Sequence, residues 1–106
     1  MKKTTIKSWA IDDRPREKLI SKGASVLSSA ELLAILISSG NKQESAVDLS
    51  KRILESVHHN IHELAKLSLN KLTAFKGIGP AKAIAIMTAL ELGKRRQLET
   101  FIENPK

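Results

Sequence analysis

With 106 residues, 42% of them apolar and only 3% aromatic, the chain is long enough for one small domain, and its Leu, Ile and Ala suit closely packed helices better than a β-sandwich. A formal net charge of +7 suits a polyanionic partner such as nucleic acid, although an acidic protein or a membrane surface would satisfy the charge alone. The absence of cysteine excludes disulfides and thiolate metal sites, and the longest apolar run, Leu32 to Ile37, is far too short to cross a bilayer; no signal-peptide run follows the basic start, so a cytoplasmic protein without membrane contact is expected.

In chain order, residues 1–14 read as an N-terminal arm. It holds the only Trp, Trp9, with Ile6 and Ile11 nearby. Trp9 is expected to anchor the arm by packing, because base-stacking platforms usually gather several aromatics. Pro15 to Lys22 suits a short helix, with proline in its first turn and Gly23 just past its end. Ser28-Ser29-Ala30-Glu31 offers a capping box, and the run Leu32 to Ile37 that follows is apolar around its whole circumference. It is expected to be the buried helix of the domain.

Ser38 to Gln43 is a polar loop whose single glycine, without a lysine-serine ending, makes a poor nucleotide-binding loop. A third helix is predicted from about Glu44 to Val57. Ala46, Leu49, Ile53 and Val57 form its stripe, Val47 and Leu54 widen it, and Lys51, Arg52 and Glu55 face solvent. His58, His59 and His62 raise the possibility of a metal, but no carboxylate or cysteine is placed to complete a ligand set, and histidines beside a helix C-terminus are explained by its dipole. No metal or other cofactor is expected.

Ile61 to Leu67 suits a short helix, and Ser68 caps the next, Leu69 to Phe75. The last helix is predicted from Pro80 to about Arg96, with Ala83, Ile86, Met87, Leu90 and Gly93 on one face and Ile84 and Leu92 beside it. Its ending, Gly93-Lys94-Arg95-Arg96, would complement the helix C-terminus. The expected organisation is an arm over 1–14, a helical domain over 15–99 and the start of a linker over 100–106. The fold class is all-α, a compact bundle of about five helices.

The chain is organised around Leu72 to Met87. Apolar Leu72 and Phe75 lie one turn apart, Gly77-Ile78-Gly79 interrupts the period, and Pro80 begins the next helix. Glycines permit the tight turn, Ile78 can point inward, and small Ala83 lets the helices cross closely. Free amides at the start of the second helix attract an anion, and Lys76 and Lys82 flank them. Such a site would hold a phosphate oxygen through the backbone near Gly77, Ile78, Gly79 and Ala81, without reading any base edge.

Leu72, Phe75, Gly77, Ile78, Gly79 and Ala83 match the pattern of the helix-hairpin-helix motif of sequence-independent DNA-binding proteins, which this stretch resembles. A weaker repeat, Leu33, Leu36, Gly40, Ala46 and Leu49, matches Leu72, Phe75, Gly79, Ala83 and Ile86 with two extra loop residues. It lacks the Gly-apolar-Gly turn, so a degenerate, structural first hairpin is expected.

Asp13 to Leu19, Leu27 to Leu36 and Phe75 to Gly79, in that order, resemble the N-terminal domain of the bacterial RadC family (UPF0758). The resemblance implies a helix-hairpin-helix domain and a link to DNA repair. Members continue into a JAB/MPN-type domain with a His-x-His metal segment; no His-x-His occurs here, so the expectation is a fragment lacking that domain and its hydrolase chemistry. DNA is the expected partner, bound weakly; the chain's own C-terminal domain is a second. The alternative is a protein-interaction or interdomain docking module. An enzyme is not expected: helix-hairpin-helix glycosylases place an Asp downstream of the hairpin, and none occurs from Pro80 onward.

Overall fold

Four helix starts in the computed structural model, which describes residues 14–38 and 43–103, are set by a side-chain oxygen. Ser28, Ser45, Asn60 and Ser68 accept from the amides of Glu31, Asp48, Glu63 and Lys71 at 3.1–3.2 Å. Each satisfies an amide that would otherwise lack an intrahelical acceptor, an effect of about 1 kcal/mol relative to alanine. At Ser28 the arrangement is reciprocal, because the Glu31 carboxylate also accepts from the Ser28 amide at 2.9 Å.

The helices so delimited are α1 (residues 14–22), α2 (Ser29–Ile37), α3 (Ala46–Ser56), α4 (Ile61–Ala65), α5 (Leu69–Thr73) and α6 (Pro80–Glu103), with one 3-10 turn at Ala24–Val26. No strand occurs among the described residues, so the all-α expectation holds. The predicted arm with Trp9, most of the polar loop including Gly40, and residues 104–106 lie outside the described residues.

The core forms where α2 packs on α3 and α6, with α4 and α5 closing against α6. Leu33, Ala34 and Ile37 meet Ala46, Leu49, Ile53 and Leu54 of α3, and Leu64, Leu72, Ile78, Ala83 and Ile86 complete it. Ala46 and Ala83, at 1% and 0% exposure, allow close approach of backbones where a longer side chain would hold the helices apart. The two repeats bury equivalent positions: Leu33, Ala46 and Leu49 in α2–α3 correspond to Leu72, Ala83 and Ile86 in α5–α6. Among the described residues, the fully buried Ser50 hydroxyl has no hydrogen-bond partner.

Three expectations are corrected. The run Leu32 to Ile37 is buried on one side only, with Leu32 and Leu36 exposed, because α2 meets its helical neighbours through Ala30, Leu33, Ala34 and Ile37. Met87 leaves the core face of α6, which runs through Ala83, Ile86 and half-buried Leu90. Helix α6 does not end near Arg96 but continues to Glu103, so Gly93-Lys94-Arg95-Arg96 lies inside it and caps nothing. Residues 94–99 are good helix formers, and an Arg95–Glu91 ion pair at 3.0 Å spans one turn. At 24 residues α6 is ~36 Å long and accounts for much of the 57 Å principal dimension. No described helix is long and apolar enough to cross a membrane.

Helix α3 ends in a Schellman motif: the His59 amide donates to Leu54 O at 2.8 Å and the His58 amide to Glu55 O at 3.1 Å. His58 and His59 both adopt left-handed backbone, φ 54° and 59°, at positions where glycine would carry no Cβ penalty. His58→Gly is therefore expected to raise stability by about 0.5–1 kcal/mol, read as a higher urea midpoint. A lower midpoint would show that the imidazole makes compensating contacts.

Lys18 of α1 reaches Glu31 of α2 at 3.2 Å. The amide of Ser28, then Lys18, hold the Glu31 carboxyl below its ordinary range. A carboxyl depressed in the folded state contributes stability that is present above its unfolded value and lost as pH falls through the folded one. Acid titration of stability should thus show a loss below the ordinary carboxyl range, smaller in Glu31→Gln, which should also be less stable than the parent at neutral pH.

Candidate functional site

The chain reverses between α5 and α6 in residues 74–79, and the turn is held from inside. The Phe75 amide donates to Leu72 O at 3.2 Å and the Ile78 amide to Phe75 O at 3.0 Å. Gly77 sits at φ 99°, a conformation that a side chain resists. The next residue, Ile78, turns into the core at 3% exposure. The Lys82 ammonium closes the turn from outside by donating to Gly77 O at 3.1 Å.

A support that periodicity did not reveal comes from α3. The Arg52 guanidinium lies 5.8 Å from the centroid of the Phe75 ring, and Glu44 grips it through two hydrogen bonds, 2.7 and 3.1 Å. Arg52 reads in the sequence as an ordinary solvated charge. Its role depends on a contact across the fold, for which local spacing carries no signal.

The start of α6 differs in kind from those of α2 to α5. Its capping position is Gly79, whose carbonyl accepts the first helical bond from the Ala83 amide at 3.0 Å and which has no side chain to occupy the amides beyond. The fold does not demand glycine there, since a Cβ added to Gly79 would meet nothing within 4 Å and its φ lies outside the left-handed range. The first turn carries no acid, whereas Asp48 stands in the first turn of α3. Pro80 has no N–H, and the Ala81 amide, in the first turn, has no intrahelical acceptor. An uncovered helix N-terminus with this composition attracts an anion.

Of the predicted site residues, Lys76, Gly79 and Ala81 are exposed, Gly77 and Lys82 are half-buried, and Ile78 is buried. The Ile78 amide is used inside the turn, so Ile78 serves as the anchor of the hairpin. Between Glu63 and Glu91 the chain carries Lys66, Lys71, Lys76 and Lys82 and no carboxylate, so the hairpin lies in a uniformly basic stretch. A shallow groove beside α5 includes His58, Lys66, Ser68 and Lys71, but Lys66 pairs with Glu63 and the Ser68 hydroxyl caps α5. Among the described residues no group of three or more His, Cys, Asp or Glu converges as metal ligands would.

A family model described as UPF0758 N-terminal matches residues 6–84. The UPF0758 protein of Flavobacterium johnsoniae is 54% identical over 101 residues, covering 95% of this chain and 44% of that protein. That of Trichlorobacter lovleyi is 48% identical over 106 residues, covering 95% and 46%, and that of Methanococcoides burtonii is 43% identical over 95 residues, covering 90% and 40%. The chain thus spans less than half the length of these relatives. No solved structure matches.

The two glycines are expected to respond oppositely to substitution. Gly77→Ala should lower stability by about 1–2 kcal/mol, because alanine is forced into φ 99°. Gly79→Ser should be neutral or stabilising by a few tenths of a kcal/mol, because it adds a cap in open space. Thermal midpoints of the pair check both, and a destabilised Gly79→Ser would mean that the fold requires glycine there.

Proposed function

We propose, from the premise that the chain belongs to the UPF0758 (RadC) family and matches its N-terminal region, that the α5–α6 hairpin is a sequence-independent DNA-binding module of the helix-hairpin-helix type. The observation that carries this reading is Gly79: the fold tolerates a side chain there, and its absence leaves the α6 N-terminus open to a large anion. A phosphate oxygen would accept from the amides around Gly79 and Ala81, in the positive end of the helix dipole. Lys76 and Lys82 would add charge, the Lys82 ammonium from where it donates to the Gly77 carbonyl. Gly77 and Ile78 shape and hold the loop.

Such contacts position a protein on the phosphate backbone and carry no sequence information. With few phosphates neutralised, binding would be weak, which fits a module that brings an attached domain to DNA, in a role such as repair. Any hydrolase chemistry of the family would then belong to the C-terminal JAB/MPN-type domain, and the helical domain would act by binding alone.

Fluorescence anisotropy of labelled duplex, single-stranded and branched DNA across a salt series tests the proposal. Two neutralised phosphates predict a log–log salt slope of about −2 and an affinity loss of roughly tenfold between about 50 and 200 mM salt. Lys76→Glu/Lys82→Glu should remove most of the binding. An unchanged affinity in a folded double variant would overturn the assignment to the hairpin. No binding by the parent even at low salt would reassign the hairpin to docking a protein or the C-terminal domain.

A further inference from the structure

Helix α6 carries six large apolar side chains in water: Ile84, Met87, Leu92, Leu98, Phe101 and Ile102, each 41–68% exposed. Ile84, Leu98 and Ile102 fall within ~40° of one line along the helix, on the side turned away from Ala83, Ile86 and Leu90, with Met87 and Leu92 on its two flanks. Ile84, Thr88, Glu91, Arg95, Leu98 and Ile102 follow one another in alternating four- and three-residue steps, the period that keeps a seam straight between two helices.

We infer that this face pairs with α6 of a second copy of the chain, antiparallel, about a two-fold axis level with residue 93. The register follows from the side chains. With the axis there, Ile84 lies level with Ile102 of the copy, Thr88 with Leu98, and Glu91 with Arg95. The polar centre of the seam is self-complementary: each Glu91 meets an Arg95 of the other copy in place of, or shared with, the 3.0 Å pair it makes within its own helix. On one flank Met87 comes beside Phe101 of the copy, a thioether against a ring, and on the other Leu92 meets Leu92. A single register therefore places Ile84, Leu98 and Ile102 in the seam, sets Met87 and Leu92 along its flanks and opposes unlike charges at the centre. Lys94 faces its own copy only at the rim, where its ammonium reaches water.

The globular part of each copy sits on the far side of its own α6, so the helices can approach without displacing the core. Two helices paired over ~20 residues bury on the order of 1,000 Å², the low end for a specific interface, which implies a reversible, micromolar dimer. The hairpins would then lie at opposite ends of the pair, separated along its axis by ~40 Å.

Sedimentation velocity of the chain from roughly 5 to 500 μM should show a monomer–dimer equilibrium. Glu91→Arg alone and Arg95→Glu alone should each weaken it by at least about tenfold, because each sets like charges across the seam. An equimolar mixture of the two single variants should restore the dimer as a heterodimer. That mixture restores the pairs between copies while leaving the pair within each helix broken, so recovery does not come from helix stability. The chain has no cysteine, so Ile84→Cys/Ile102→Cys should oxidise to a covalent dimer while Ile84→Cys alone, ~27 Å from its copy, should not. A monomer at every concentration, a dimer indifferent to both charge reversals, no recovery on mixing, or efficient crosslinking by Ile84→Cys alone would overturn the inference.

Discussion

Ile78, held at 3% exposure immediately after a glycine at φ 99°, fixes where α6 begins and in which direction it leaves. Because α2, α4 and α5 all pack against α6, the position of this one side chain propagates through the domain. Leu72 before the turn and Ala83 after it are fully buried, so the hairpin is part of the core and not an appendage to it. Arg52, gripped by Glu44 and set over the Phe75 ring, ties the same turn to α3. The consequence is a rigid scaffold in which, among the described starts of α2 to α6, that of α6 has no side-chain cap, so the proposed anion site would need no ordering on binding.

That start is distinguished by what it lacks. Ser28, Ser45, Asn60 and Ser68 occupy the amides of α2 to α5 with their own oxygens, and the first turns of α2, α3 and α4 carry Glu31, Asp48 and Glu63. An anion approaching those helices meets a filled cap and, at three of them, a like charge. At α6 it meets Gly79, Pro80 and a basic neighbourhood. The stability forgone by leaving Gly79 uncapped is only a few tenths of a kcal/mol, small enough for a binding role to override.

Features governed by local chemistry were legible in the sequence. The capping box at Ser28 and Glu31, the cap at Ser68, proline at the start of α6 and the glycine turn each need only a few neighbouring residues, and each stands where its chemistry places it. Features set by what a helix packs against were not. Leu32 and Leu36 share the apolarity of Leu33 and Ile37 but stay exposed, because α2 meets the other described helices through its opposite side, a fact no periodicity records. The end of α6 was obscured by Gly93, which costs a helix about 1 kcal/mol relative to alanine and is outweighed by the helix formers that follow. The end of α3 near Val57 was legible, although His58 beyond it adopts a conformation usually given to glycine. At the site, the hairpin and its lysines were readable, whereas the Arg52 support and the inward use of the Ile78 amide required the fold.

The most direct measurement is an amide-resolved NMR titration of the chain with a short DNA duplex at low salt. The account predicts that the largest backbone shifts fall on Gly79, Ala81 and Lys82 at the start of α6, with the capped starts of α2 and α3 unmoved. Shifts concentrated elsewhere, with the α6 start unchanged, would contradict it.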